Sequence, residues 1–362
     1  MMPPHLHSLM STSRTSQAIP RESDKAKDAP VTVDRPVDFG YEHCWIICPS
    51  CTDRTRLTFE QYATGERVPC VRCGDTVTTE DEHDLAVSSP DDVALDPSAL
   101  SGVAWYHTST YREWPPMNDE PTDSAIHLGT YEAAIENMLR RMRNESDADS
   151  QFHLHRVTLC VDPKDVTEVR GEASNWFGLT AQSVVRAHGH RVLRYINRHE
   201  HKGSISLAVV PSVIATVQTV AIPFATCDRP CAAAAEAAIA YASECAAIEA
   251  ARPDTSGIGR LERLFPKTAK DPKVAAIAHA AKACDDASSQ AFAQFSKALE
   301  DSYLAGIAAP VRTMFVGALQ SKKFDSATDR NETFCRVAEL LTAPDRVIAA
   351  LSTAQTRVPT GD

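Results

Sequence analysis

The chain has no surplus of positive charge, no secretory-type apolar run near its start and no repeat of fixed period. Its 37 Lys and Arg stand against 48 Asp and Glu, a net charge of -11. Broad, non-specific attachment to a phosphate backbone needs a basic face, so that class is excluded, although a local basic patch is not. Charge is missing altogether from Gly203 to Cys227, a length that can span a bilayer. Pro211 and Pro223 break this stretch, Gln218 lies between them, and Val, Ile and Thr dominate it. That composition predicts two buried strands and a turn, and no membrane association. Eleven cysteines would suit a disulfide scaffold only in a short secreted chain. At 362 residues and with no signal segment, the chain reads as cytoplasmic with reduced thiols.

What is present divides into five stretches and predicts an α+β multidomain protein. Residues 1–40, rich in Pro, Ser, Thr and charge, are expected to form a disordered leader because they bury too little apolar surface. Residues 41–85 hold five of the eleven cysteines and read as a small β zinc ribbon. Residues 86–101 form an acidic linker. Residues 102–224 alternate short strands with helices, and residues 225–355 form an Ala-rich helical bundle.

The cysteines carry the strongest motif. "CPSC" at Cys48 and Cys51 is followed by "CVRC" at Cys70 and Cys73, then Gly74. Two such knuckles give four thiolates that close tetrahedrally on zinc. Each knuckle needs a tight turn that points backbone amides at the sulfurs, which suits Pro49 and Gly74. The intervening segment reads as two strands with a turn at Thr64-Gly65. Cys44, four residues ahead, is a spare thiol that the regular spacing leaves out. The site is closed, so its role is structural, and the metal supplies folding energy that so small a core lacks. Arg54, Arg56, Arg67 and Arg72 are interleaved with Asp53, Glu60, Glu66 and Asp75. The ribbon is therefore open to either a protein or a nucleic-acid partner.

In the middle stretch "GVAWYHTSTYREWP" is a short apolar-aromatic strand ending in His107, Thr108 and Ser109. Eight of the thirteen histidines fall in this domain. "HLH" and "HGH" place pairs of rings on one strand face, but no carboxylate or cysteine accompanies them at ligand spacing. They read as neutral hydrogen-bonding groups. "AIHLGTYEAAIENMLRRM" gives a short strand with His127, a turn at Gly129, and a helix capped by Thr130. Ala134, Met138, Leu139 and Met142 form its buried stripe, and Arg140, Arg141 and Arg143 its solvated side. "YINRHEHKGSIS" gives a strand, a polar loop with Glu200, and a second strand.

A strand ending in His-Thr, a Gly-Thr turn into an Ala-rich helix, and this late strand-loop-strand together resemble the ADP-ribosyltransferase superfamily. The resemblance is to its His-Tyr-Glu branch and the divergent forms in phage and polymorphic proteins, over about one third of the chain. It implies a split-sheet domain that binds NAD and transfers ADP-ribose with release of nicotinamide. By the same resemblance His107, Tyr131 and Glu200 are the catalytic residues: His107 binds the ribose, Tyr131 stacks on nicotinamide, and Glu200 orients the ribose hydroxyl and stabilises positive charge. Thr108, Ser109, His127 and Gly129 would line the cofactor site. The alternative is a non-catalytic zinc-ribbon scaffold that docks to protein or nucleic acid through the ribbon or the bundle.

The last stretch is alanine-rich. Asp228 is expected to cap a helix starting at Pro230. A longer one runs from Pro272 to about Ala305, with apolar positions every three or four residues. Cys227, Cys231, Cys245, Cys284 and Cys335 have spacings suited to packing.

Overall fold

A computed structural model describes residues 32–78, 85–115, 124–144, 147–172 and 180–359. The first elements are β1 (His43–Ile47), β2 (Arg54–Thr58), α1 (Phe59–Thr64), β3 (Val68–Pro69) and β4 (Thr76–Val77). Then come β5 (Trp105–Ser109), β6 (Ile126–Leu128), α2 (Tyr131–Asn144), β7 (Phe152–Leu159) and β8 (Arg170–Gly171). Next are α3 (Gln182–Val185), β9 (Val192–Ile196), β10 (Ile205–Val209) and β11 (Ile214–Ile222). Six helices finish the described chain: α4 (Ala232–Ala251), α5 (Arg260–Leu264), α6 (Pro272–Tyr303), α7 (Ala309–Gln320), α8 (Ala327–Thr342) and α9 (Pro344–Thr353). The protein is thus mixed α and β, with small sheets and a C-terminal helical region.

The cysteine-rich unit holds two antiparallel ladders, β1–β2 and β3–β4. Cys44 and Ile46 of β1 and Leu57 of β2 alternate inward onto a small core with Val77 and Leu85. One expectation fails here. The segment after β2 is not a second strand but the helix α1. Thr58 and Gln61 form a reciprocal capping box, and Gly65 ends the helix at φ 66°. A Thr-x-x-Gln pair satisfies two backbone donors at the helix start, and this local gain outweighs the strand pattern.

Two sheets build the middle of the chain, ordered β6-β10-β9-β8 and β11-β7-β5. They meet where Tyr106 and Gly129 exchange two backbone hydrogen bonds of 3.0 Å. Strand parity sends Trp105, His107 and Ser109 to one face of β5, and Tyr106 and Thr108 to the other. Trp105 joins a core with Leu128, Val157, Val192 and Leu207. Tyr106 instead packs with α2 and the C-terminal helices. The uncharged stretch supplies β10 and β11, as its composition predicts. Among the described residues no helix is long and apolar enough to cross a membrane.

Several stretches read as unstructured or independent are tied in. Most of the expected leader, residues 1–31, lies outside the described residues. Residues 32–40 do not behave as a flexible leader. Asp34 binds the Tyr106 hydroxyl and Arg156, Glu132 accepts from the Asp38 amide, and Phe39 enters the main core. Burying one such ring contributes about 2 kcal/mol. The acidic linker is also structured: Ala94 and Leu100 are fully buried, and Arg194 donates to the Ala94 and Leu95 carbonyls. His188 and His190 lie at a turn, not on a strand.

The Ala-rich region is not a separate bundle. Its α7, α8 and α9 share one core with α2 and the inner faces of β5, β7 and β11. The first helix starts at Ala232, and its N-cap position, Cys231, makes no side-chain cap bond. Asp228 pairs with Arg346 at 2.6 Å instead of capping. Cys227 and Cys335, read as packing thiols, form a disulfide with Cα atoms 5.9 Å apart.

Candidate functional site

Among the described residues, two constellations gather the expected site residues. In the first, the Sγ atoms of Cys48, Cys51, Cys70 and Cys73 lie within 4.8 Å of one another, a set that can hold a metal ion. The two knuckles repeat one backbone pattern. Thr52 N donates to Cys48 O and Gly74 N to Cys70 O, at 2.8 and 2.9 Å. Cys48 N and Cys70 N donate to Asp53 O and Asp75 O, both at 2.8 Å. The turns close through left-handed residues, Thr52 at φ 61° and Gly74 at φ 78°. Amides of Cys73 and Arg72 aim at the Cys70 sulfur and pull its thiol down to about 6. Cys44 stays outside the cluster: it pairs opposite Leu57 in the ladder, and burial pushes its thiol up to about 11.

The second constellation is a small cleft of about 70 Å³ at the seam between the two sheets. His107, Thr108, His127, Gly129 and Glu200 all line it, joined by Asn137, Tyr195, Asn197 and Ser206. His107 Nδ1 lies 2.9 Å from the His127 carbonyl. A carbonyl only accepts, so Nδ1 carries the proton and Nε2 is left as an acceptor. Burial pushes the His107 imidazole down to about 3, so it is neutral at physiological pH. His127 Nδ1 meets the Tyr195 hydroxyl at 2.9 Å, while its Nε2 is buried without a partner among the described residues. Gly129 permits close approach, because a Cβ there would meet Ala133 Cβ at 2.9 Å.

Glu200 reaches the cleft because the β9–β10 loop folds over Asn197. The Asn197 Oδ1 accepts from the amides of His199 and Glu200, and its Nδ2 donates to Ser206 Oγ. Gly203 closes the loop at φ 87°, tight against the Ala86 carbonyl and Ser88. Arg140 Nε and Asn137 Nδ2 then donate to Glu200 Oε1 at 2.8 and 3.2 Å. Arg140 is therefore an ion-pair partner rather than a solvated charge, and Arg141 pairs with Asp147.

Two of the expected site residues point elsewhere. Tyr131 is 2 % exposed, donates its hydroxyl to the Leu340 carbonyl, and packs edge-on against Tyr106 and Phe39. Ser109 donates to the Tyr111 carbonyl and sits 2.9 Å from His155 Nε2, away from the cleft lining. The ring next to His107 is Trp114, stacked on it with centroids 4.2 Å apart. Thr108 lines the cleft, but its hydroxyl is committed to the Ala134 carbonyl. Asn137, Tyr195 and Asn197 went unnamed in the sequence, although their spacing signals them. Asn137 precedes Arg140 by three on one helix face, and Tyr195 and Asn197 alternate in the strand that leads to Glu200. Comparison of the chain with protein-family models, curated proteins and solved structures found no match.

Proposed function

We propose that the seam cleft binds the nicotinamide ribose of NAD and that the protein transfers ADP-ribose with release of nicotinamide. The observation that supports this most is the convergence of a neutral imidazole acceptor, His107 Nε2, and an anchored carboxylate, Glu200, on one cleft. A neutral acceptor suits a ribose hydroxyl. Breaking the ribose–nicotinamide bond builds positive charge on the sugar, and a carboxylate held by Asn137 and Arg140 stabilises that charge as it develops. Nicotinamide departs as a neutral base, the acceptor's nucleophile bonds to the ribose carbon, and the proton it loses goes to solvent.

The cleft is the size of two or three water molecules, so it takes a sugar edge and not a whole dinucleotide. The same small volume favours the second reading, a non-catalytic scaffold that docks to protein or nucleic acid. In both readings the four thiolates take zinc. Tetrahedral sulfurs at Zn–S distances of about 2.3 Å lie about 3.8 Å apart, which the Cys48–Cys73 and Cys51–Cys70 separations of 3.6 Å match closely.

Calorimetry with NAD separates the readings. Heat of binding from the wild-type chain that disappears in His107→Ala is the expected result. No heat from the wild type contradicts the nucleotide reading and leaves the scaffold.

A further inference from the structure

Arg140, whose Nε holds Glu200 at the cleft, also lines a second and larger hollow. This groove of about 1070 Å³ lies between the cysteine-rich unit, the C-terminal end of α2 and the N-terminal end of α7. A hollow of about 850 Å³ continues it along α7. The two share Arg143, Asn144, Arg312 and Thr313.

The chain carries a net charge of -11, yet this groove collects cations. Arg56, Arg140, Arg143, Lys202 and Arg312 face only Glu42 and Glu60 among its lining residues. Lys297 and Glu300 add one charge of each sign in the continuation. Not all these cations are available: Arg140 is paired with Glu200, and Lys202 donates to the Arg198 carbonyl. Arg143 is exposed and Arg312 half-buried, and neither has an ion-pair partner among the described residues. Arg56 donates to the His43 ring, which burial and Arg56 itself keep neutral, and has no ion-pair partner among the described residues. On the wall beside it, α1 contributes the half-buried rings of Phe59, edge-on against Tyr41, and Tyr62, whose ring lies under the Lys202 ammonium.

Cations recurring along an open groove beside ring faces match what a nucleic-acid single strand needs. The cations follow the phosphates and the rings stack on bases. The joined hollows extend beyond what one mononucleotide fills. A duplex would need a broad basic face, which the overall charge denies. We propose that this groove binds single-stranded nucleic acid, with phosphates against Arg56, Arg143 and Arg312 and a base against Phe59. The proposal does not depend on the chemistry of the seam cleft.

The test is fluorescence anisotropy of a labelled oligothymidine of about a dozen nucleotides with the full, metal-loaded chain. Three phosphate contacts predict that log K falls with log salt at a slope of about -2, and that Arg143→Gln with Arg312→Gln reduces the slope to about -0.7. The double variant, checked for an unchanged thermal melt, is expected to bind at least about tenfold more weakly at low salt. The remote Arg263→Gln is expected to bind as wild type does, and the assay contains no NAD, so failure of the NAD reading leaves this result untouched. No binding at low salt, equal binding by the double variant, or displacement by equimolar ADP each overturns the proposal.

Discussion

Replacing Glu136 by glutamine tests the electrostatics under the cleft. Glu136 lies in α2 and is 2 % exposed. Its Oε1 accepts from the Tyr41 hydroxyl and its Oε2 from the His201 amide. Burial, with Glu200 and Glu132 nearby, raises its carboxyl from 4.5 to about 7. The folded value is above the unfolded one, so the native state holds the proton more tightly. The resulting stabilisation is complete below about 4.5 and is lost as pH rises through about 7. Over the whole range it is worth about 3 kcal/mol, and between pH 5.5 and pH 8 about 2 kcal/mol. Glutamine keeps both contacts: its oxygen accepts from the His201 amide, and its nitrogen donates to the Tyr41 oxygen. Urea unfolding of both proteins at the two pH values cancels every other titrating group. The wild type is expected to lose about 2 kcal/mol more than the variant on going to pH 8. Stabilities that change in parallel would refute the argument.

The remaining predictions concern other parts of the fold. His155 is fully buried and its imidazole is pushed down to about 2, chiefly by burial and then by His107 and His153. Its neutral form contributes stability above pH 6.5 that is lost as pH falls, at up to about 1.4 kcal/mol per pH unit, so His155→Gln should flatten acid denaturation. Gly129→Ala forces a methyl to within 2.9 Å of Ala133 Cβ and is expected to cost about 1–3 kcal/mol in chemical denaturation while narrowing the cleft. Metal analysis is expected to find one zinc per chain. Chelation should abolish hydrogen-exchange protection in β1 and β2 but not in β7 or α8, and full protection of the metal-free β1 would contradict a metal-dependent unit.

The parts legible in the sequence are those set locally. The four-cysteine cluster follows from ligand spacing, the start of α2 from Thr130, whose hydroxyl accepts from the Ala133 amide, and β9 and β10 from short, largely apolar runs on either side of a polar loop. The direction of Tyr131 was legible too, since it lies three residues before Ala134 and seven before Met138 and so shares their buried face. The family pattern outweighed that periodicity in the expectation. Other features depend on partners far along the chain. Residues 32–41 are held by Arg156, Glu132 and Glu136, which bind Asp34, the Asp38 amide and the Tyr41 hydroxyl across about a hundred residues of sequence. Cys227 and Cys335 are separated by 108 positions, and no local spacing announces the pair. The helix α1 is hard to read because a strand-like pattern in the sequence competes with the Thr58–Gln61 capping box.

The central claim is that Glu200 and His107 form a ribose site that breaks a glycosidic bond. Nicotinamide release from NAD, followed for the wild type and Glu200→Gln under saturating substrate, tests it most directly. The account predicts release by the wild type, slowed about 100-fold or more in Glu200→Gln with little change in KM. Wild-type chain that releases no nicotinamide, or a Glu200→Gln variant that turns over as fast as the wild type, would contradict it.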